Sequence, residues 1–205
     1  MEGTALRLSG WALLATSVFY TVWHLLPMNW TVGDPLPLHY SDLLRFLAAI
    51  ALITRLWWAV AITYFWGLTL NVQALLTPHP SMLDHASVIT VFYWVVHIAV
   101  LLAALALTWG SGYRPQWRGY AVAYGAALGW AAVLIPLNSV LGTNYGFLNH
   151  PPEGASLIDM LGPWPVYVLW LALLVAGVWA LMTWPWTRHG GGARSHRRHG
   201  TSCGP

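Results

Sequence analysis

The sequence predicts an all-α, polytopic transmembrane helix bundle of about six spans. Hydrophobic residues make up 58% of the 205 residues and charged residues only 7%, whereas about a quarter of the residues in a soluble domain are charged. The apolar residues fall into runs that are long enough to cross a bilayer, and the connections between the runs alternate in charge. These observations exclude an ordinary water-soluble domain, a nucleic-acid-binding module and a disordered scaffold.

Six apolar runs are the predicted spans, because a helix needs about 20 residues to cross the hydrocarbon core. The first run is too long for the apolar part of a signal peptide and has no convincing cleavage site after it, which predicts a retained span. The second is the shortest, and only Arg55 and its neighbours separate it from the third, so these two should form a tight helical hairpin. In order, the runs are Leu6–Leu26, Leu38–Thr54, Trp57–Leu76, Ala86–Trp109, Tyr120–Leu141 and Val166–Trp184.

The charges of the connections predict the orientation of the bundle. One set of connections contains acidic residues and no arginine, and the other set contains arginine. Because short loops rich in Lys and Arg stay on the cytoplasmic side, both termini are predicted to be cytoplasmic. The acidic residues are Asp34, Asp84, Glu153 and Asp159, and the arginines are Arg7, Arg55, Arg114, Arg118 and those of the C-terminal tail.

The C-terminal tail differs in composition from the rest of the chain. Residues 188–205 are rich in glycine, arginine and histidine, which predicts a disordered basic cytoplasmic tail after a single transmembrane domain of residues 1–187. This tail accounts for the net charge of +3, so no nucleic-acid partner is expected. The one cysteine, Cys203, rules out a disulfide within the chain. No residues have the spacing of a metal site, and no cofactor is predicted.

Polar side chains within the spans are concentrated in the predicted outer half of the bundle. Because a polar residue in a bilayer is costly, it usually faces the bundle interior or a wet cavity. We therefore predict one polar pocket that opens outward. Its members are His24, His39, Ser41, Asp42, Arg45, Asn71, Gln73, His97, Asn138, Asn144 and Tyr145.

The second predicted span is the most polar. Asp42 and Arg45 are three residues apart and can form an ion pair on one helix face, which by itself would explain the presence of both charges. Ser41 is four residues before Arg45 and shares its face. Pro37 precedes the run, as is common where a helix begins.

Ser41 is the candidate nucleophile of this pocket. A serine hydroxyl needs a base to remove its proton, and three histidines could do so: His24, His39 and His97. His97 stands alone in an apolar span and needs a polar partner. The structural alternatives are a serine bonded to the carbonyl four residues back and a histidine packed beside a water. The run boundaries also put His97 about two turns deeper than Ser41, so the two meet only if a helix starts deeper or is tilted.

Four segments, in order and with matching spacing, resemble the YwaF family of bacterial integral membrane proteins. They are LPLHYSDLLRFLAAIALIT, YFWGLTLNVQALLTP, the His97 segment ending LAALALTW and then GYRPQW, and GTNYGFLNHPPEGASLIDMLGPWPVY. The family is related to transmembrane protein 164, an acyltransferase acting on ether lysophospholipids, and is more distantly similar to androgen-inducible intramembrane hydrolases of fatty-acid esters of hydroxy fatty acids. The resemblance covers about Trp11 to Trp184, and an extra N-terminal span of the family is expected to be absent here.

The resemblance implies a nucleophile in an LH-x-C-D motif and a histidine on a later span. Matched onto this sequence, these positions are Ser41 and His97. The sequence departs from the family at the nucleophile, where serine replaces cysteine. A hydroxyl can still carry an acyl group, but it needs more help from a base than a thiol does.

Three functions fit these features. The first is an intramembrane lipid acyltransferase or lipid ester hydrolase in the bacterial inner (plasma) membrane, with Ser41 as the nucleophile and His97 as the base. The second is a lipid-binding or transport protein that uses the same pocket without chemistry, and the third is a membrane accessory subunit. Membrane lipids are the expected partners. The predicted substrate-binding residues are His39, Asp42, Arg45, Gln73, Asn138, Asn144 and Tyr145, of which Arg45 would hold a head group and Gln73, Asn138 or Asn144 would donate hydrogen bonds to an oxyanion.

Overall fold

Seven α-helices form the bundle in a computed structural model that describes residues 2–29, 36–78, 88–152 and 157–188. Within these ranges there is no β-strand. The predicted charges Asp34, Asp84 and Glu153, the side chain of Asp159 and the tail from residue 189 lie outside the described residues. The helices are α1 (Glu2–Leu25), α2 (Tyr40–Thr54), α3 (Trp57–Leu68), α4 (Leu70–Leu76), α5 (Val88–Leu105, continued by a π-helical turn over Ala106–Gly110), α6 (Trp117–Leu141) and α7 (Val166–Arg188), with 3-10 turns at Pro27–Asn29, Tyr145–Phe147 and Leu157–Leu161.

The predicted helical membrane bundle is confirmed. Among the described residues, five segments are long and apolar enough to cross a membrane: Gly3–Leu25, Trp57–Leu76, Val88–Gly110, Trp117–Leu141 and Val166–Arg188. The remaining segment, α2, has 15 residues and is therefore about 22 Å long. A hydrocarbon core is about 30 Å thick, so α2 falls short of a full crossing.

The third predicted span is interrupted. It was expected to be continuous from Trp57 to Leu76, but Thr69 leaves helical geometry at φ −128° and ψ −75°, which separates α3 from α4. The indole Nε1 of Trp179 on α7 donates to the Thr69 hydroxyl over 3.0 Å. A polar contact from another helix thus lies at the break, and it carries no signal in the local sequence.

α3 lies at the centre of the bundle. Every residue from Ala59 to Gly67 is buried, and α3 packs against α2, α5 and α6. The fully buried Trp66 donates from Nε1 to the carbonyl of Ala123 on α6 over 3.1 Å. Between helices in lipid, close van der Waals packing and hydrogen bonds of this kind provide the attraction, because the lipid tails are as apolar as the side chains. α3 is therefore the scaffold on which α2 and α5 are held.

α2 and α3 form the predicted tight hairpin. α2 ends at Thr54 and α3 begins at Trp57, and Arg55 closes α2 in the left-handed conformation at φ 59°. Its side chain donates from Nη1 to the Ser111 hydroxyl over 3.5 Å, just after the π-helical turn of α5. The guanidinium of Arg118 lies 4.1 Å from the ring centroid of Trp57. The ends of α2 and α5 and the starts of α3 and α6 therefore meet at one end of the bundle.

Candidate functional site

The first turn of α2 is organised by one carboxylate. Asp42 accepts a hydrogen bond from the backbone N–H of His39 through Oδ2, over 3.0 Å, and pairs through Oδ1 with Nη1 of Arg45, over 2.9 Å. The first bond caps the start of the helix, and a negative charge there is also favoured by the helix dipole. The predicted Asp42–Arg45 ion pair is thus present and has a second role as a helix cap.

Arg45 is buried at the contact between α1 and α2. Its exposed fraction is 2%, and its guanidinium lies 4.8 Å from the ring centroid of Tyr20 on α1. Nη2 donates to the hydroxyl of Thr21 over 2.7 Å. The third nitrogen, Nε, is buried and has no hydrogen-bond partner among the described residues. One donor of the cation is therefore available inside the protein.

The hydrogen bonds of His97 define its tautomer. Its Nδ1 lies 2.7 Å from the carbonyl oxygen of Tyr93, one turn earlier on α5. A carbonyl can only accept, so Nδ1 carries the hydrogen and Nε2 of the neutral ring carries the lone pair. Nε2 is buried and has no partner in the described part of the chain. His97 therefore presents a buried, unprotonated nitrogen, which is the form that a general base requires.

Neighbouring helices hold His97 in place. Asn71 on α4 donates from Nδ2 to the His97 carbonyl over 2.9 Å, and the hydroxyl of Tyr93 donates to the Ala74 carbonyl over 2.6 Å. The helix that carries His97, α5, also packs against α2.

Ser41 lies on the first turn of α2 and is half-buried, and its hydroxyl makes no hydrogen bond among the described residues. The alternative in which it bonds the carbonyl four residues back is therefore not adopted. The same number of residues separates Ser41 from Thr54 at the end of α2 and His97 from Gly110 at the end of α5. The Arg55 side chain bonds Ser111 across these two ends, so the residue counts do not require the two-turn difference in depth that the sequence predicted.

A second group of polar residues lies in the last turn of α6 and in the loop that follows it. Asn138 donates from Nδ2 to the carbonyl of Tyr145 and to Oδ1 of Asn149, over 3.1 and 3.0 Å, and its Oδ1 accepts from the Tyr145 N–H and the Thr143 hydroxyl, over 2.8 and 3.1 Å. An amide side chain has two hydrogens to donate, and both are used here. Asn138 thus closes the loop after α6 and has no donor left for a substrate.

Asn144 is committed in a similar way. Its Nδ2 donates to the carbonyl of His150 over 2.8 Å and lies 3.0 Å from His150 Nδ1, while its Oδ1 accepts from the N–H groups of Asn149 and His150 over 3.1 and 3.2 Å. Gln73, the other predicted oxyanion donor, is exposed on α4, and its side chain has no hydrogen bond in the described part of the chain. Of the three predicted amides, Gln73 alone retains free donors.

His39 connects the two groups. Its Nδ1 accepts from the N–H of Gly146 over 3.2 Å, and its ring meets the ring of Tyr145 edge-on at 5.4 Å. The hydroxyl of the fully buried Tyr145 accepts from the N–H of Leu36 over 2.8 Å. The predicted polar residues thus form two groups joined at His39, and the loop after α6 fastens the start of α2.

A model of the TMEM164 family matches residues 2–183. The chain belongs to the TMEM164 family. The match shows the relation to transmembrane protein 164 that the motifs predicted, and the narrower resemblance to the YwaF family is compatible with it. No curated protein and no solved structure matches the chain. The family assignment and the five long apolar helices identify a multi-pass membrane protein.

Helix α1 of this TMEM164-family protein carries a polar stripe of which the sequence-based prediction named only His24. Ser17 is completely buried and Thr21 bonds Arg45, while Tyr20 faces the same guanidinium. Their spacing could have revealed them, because residues i, i+3, i+4 and i+7 share one helix face. The stripe consists of Ser17, Tyr20, Thr21 and His24.

Metal ligation has no support in the described part of this TMEM164-family protein. No three His, Cys, Asp or Glu side chains come together there as a metal site would require. The arginine, histidine and serine groups around α2 instead provide a cation, a base and hydroxyls.

The Asn138→Ala variant should unfold at a lower temperature in detergent, with a loss of about 3 kcal/mol or more. The substitution leaves the buried N–H and carbonyl of Tyr145 without partners, and each unsatisfied buried group costs about 1–3 kcal/mol. Ser9→Ala is the control, because Ser9 is exposed on α1 and lies outside this network. Equal melting temperatures for the two variants would show that the Asn138 network does not stabilise the loop.

Proposed function

We propose that this TMEM164-family protein is an intramembrane acyl-transfer enzyme, a lipid acyltransferase or lipid ester hydrolase, with Ser41 as the nucleophile and His97 as the general base. The observation that carries the proposal is the state of His97. Its Nδ1 is bound to the Tyr93 carbonyl, and its buried Nε2 lone pair has no partner among the described residues. An unpartnered buried acceptor is costly, and a base that receives a proton only during the reaction explains why it is retained.

The proposed reaction has two halves. The Ser41 hydroxyl attacks the carbonyl carbon of a lipid ester, and its proton passes to His97 Nε2. The C–O bond to the departing alcohol then breaks, and the alcohol takes the proton from His97. In the second half, water or a lipid hydroxyl attacks the acyl-serine and gives its proton to His97. The C–O bond to Ser41 then breaks, the acyl group stays on the attacking oxygen, and the Ser41 oxygen takes the proton back from His97. The Tyr93 carbonyl keeps the imidazole oriented throughout, as the acid does in a serine hydrolase triad.

The remaining predicted site residues divide by their contacts. Asp42 fixes Arg45, and His39 fixes the start of α2. Gln73 is exposed and can donate to a lipid head group. Asn138, Asn144 and Tyr145 are engaged within the protein, so we assign them the role of positioning α2. This division supports a site centred on α1, α2 and α5.

Labelling with a lipid-like fluorophosphonate tests the proposal. We expect a covalent adduct on Ser41 in the detergent-solubilised protein, identified by peptide mass spectrometry, because an activated serine displaces fluoride from phosphorus. Ser41→Ala should abolish labelling, and Ser139→Ala, which alters an exposed serine, should not. Absence of any adduct in a folded protein would refute the proposal.

We propose further that both termini are cytoplasmic and that the protein lies in a bacterial plasma membrane. Arg55 contacts Ser111 and Arg118 contacts Trp57, and both contacts lie at the same end of the bundle. This supports the orientation predicted from the alternating charges of the connections. A C-terminal alkaline phosphatase fusion in bacterial cells should be inactive, because that enzyme folds only in the periplasm. An active fusion would reverse the orientation.

A lipid-binding or transport role without chemistry is the second candidate. It is favoured by the fact that no hydrogen bond joins Ser41 to His97 within the described residues. In that case, vesicles containing the protein should bind or move lipid at the same rate with wild-type protein and with Ser41→Ala. Loss of lipid turnover in Ser41→Ala would instead favour the enzyme.

A further inference from the structure

Two buried donors in the α1–α2 contact have no hydrogen-bond partner among the described residues. They are the hydroxyl of Ser17, whose exposed fraction is 0%, and Nε of Arg45, whose residue is 2% exposed. Burying a donor without a partner costs about 1–3 kcal/mol. Two such donors on facing helices therefore call for an explanation other than packing.

Ser17 differs from the buried threonine hydroxyls within the helices. Thr63, Thr108 and Thr183 each donate to the carbonyl four residues back, over 2.8 Å in all three cases. That local bond is the usual way for a hydroxyl to be satisfied in a membrane helix. Ser17 is equally buried and does not form it in the described structure. Its hydroxyl is therefore available to a ligand, because no described residue of the protein bonds it.

The packing of α1 against α2 sets these two donors at the same level. A Cβ atom added to Gly10 would lie 2.9 Å from Leu52 Cβ, so Gly10 and Leu52 face each other across the contact. The chain turns back between α1 and α2, and Thr21 on α1 bonds Arg45 on α2, so the helices run antiparallel. Ser17 lies seven residues after Gly10, and Arg45 lies seven residues before Leu52. In antiparallel helices these equal offsets lead to the same level. Ser17 and the inner part of the Arg45 side chain thus lie opposite each other.

We propose that Ser17 Oγ and Arg45 Nε are the donors that stabilise the oxyanion of the acyl-transfer intermediate. This inference rests on the proposed function. When Ser41 Oγ attacks, the carbonyl π electrons move to the carbonyl oxygen while the Ser41 proton moves to His97 Nε2. Ser17 and Arg45 donate to that oxygen until its electron pair re-forms the C=O bond and the alcohol departs with the proton from His97. Arg45 lies one turn from Ser41 on the same face, which puts its side chain beside the reacting carbon.

This assignment also explains which groups are free and which are engaged. The amides of Asn138 and Asn144 already donate within the protein, whereas Arg45 uses Nη1 and Nη2 to hold its own position on Asp42 and Thr21. Nε, the nitrogen of Arg45 that has no partner among the described residues, is held in place by these two bonds. Donors that are fixed before the reaction stabilise an oxyanion most strongly, because they need no reorganisation.

The test is the rate of fluorophosphonate labelling at Ser41 at saturating probe, since the phosphoryl oxygen of the probe occupies the oxyanion position. Ser17→Ala should lower that rate about 100-fold and leave the apparent dissociation constant of the probe unchanged. Its melting temperature should be equal to that of the wild type or higher, because an unpaired buried hydroxyl has been removed. Ser9→Ala, an exposed serine on α1, should match the wild type in every respect.

Two shape-matched variants keep the result interpretable if Ser17→Ala does not fold. Ser17→Thr retains a hydroxyl and Ser17→Val has the same shape without one, so the first should label faster than the second by at least 10-fold. Equal rates for these two, or a wild-type rate in Ser17→Ala, would overturn the oxyanion assignment while leaving Ser41 and His97 in place. No adduct on Ser41 in the wild-type protein would overturn the proposed function and this inference with it.

Discussion

The His97→Ala variant is expected to react with a fluorophosphonate at Ser41 about 10³-fold more slowly than the wild-type protein. General-base assistance is worth about 10²–10⁴-fold in rate, and a serine at neutral pH has no thiolate-like fraction to react in its place. The tautomer fixed by the Tyr93 carbonyl gives His97 a lone pair on Nε2 before the substrate arrives. The effect should therefore appear in the rate at saturating probe and not in probe binding.

His24→Ala is the matched control for His97→Ala. His24 on α1 also has a buried ring nitrogen, Nδ1, without a partner among the described residues. His39 is the third histidine that the sequence offered as a base, but its Nδ1 already accepts from the Gly146 N–H. We expect His24→Ala to retain most of the labelling rate. If His24→Ala lost labelling and His97→Ala kept it, the base would lie on α1 and the assignment of His97 would be wrong.

The features of the site that the sequence predicted correctly are local ones. The Asp42–Arg45 pair follows from a three-residue spacing on one helix. Hydropathy alone predicted the five segments that are long and apolar enough to cross a membrane in the described part of the chain. The sequence also indicated that His97 needs a polar partner. It did not reveal that the partner is the carbonyl of Tyr93 on the same helix, because every residue of a helix carries a carbonyl and none is marked in the sequence.

The features that the sequence missed depend on contacts between distant segments. Asn138 and Asn144 were expected to bind substrate, but the loop after α6 folds back at Gly142 and Gly146, with φ 67° and 70°, and uses their amides itself. The break at Thr69 lies beside the indole of Trp179, which is 110 residues away in the chain. Such pairings depend on the three-dimensional packing, which residue spacing alone does not contain.

Of the single substitutions in the site, Asp42→Ala is expected to destabilise the protein most, lowering its free energy of unfolding by about 3–5 kcal/mol. Removing one partner of a buried ion pair leaves the other charge uncompensated, and Arg45 is only 2% exposed. The same substitution removes the acceptor for the His39 N–H at the start of α2, which adds to the loss. Thermal unfolding in detergent, followed by circular dichroism, measures the change.

A double substitution separates the pair from its parts. Asp42→Leu combined with Arg45→Met removes both charges, and well-packed apolar replacements of a buried ion pair are often neutral or stabilising. The double variant should therefore unfold at a higher temperature than Asp42→Ala, although it loses the helix cap and the hydrogen bond from Arg45 to Thr21. Arg7→Met is the control, because Arg7 is exposed on α1 and its replacement should have little effect. A double variant less stable than Asp42→Ala would mean that the two charges stabilise the bundle independently. In that case the pair could not be what fixes the Arg45 side chain beside Ser41.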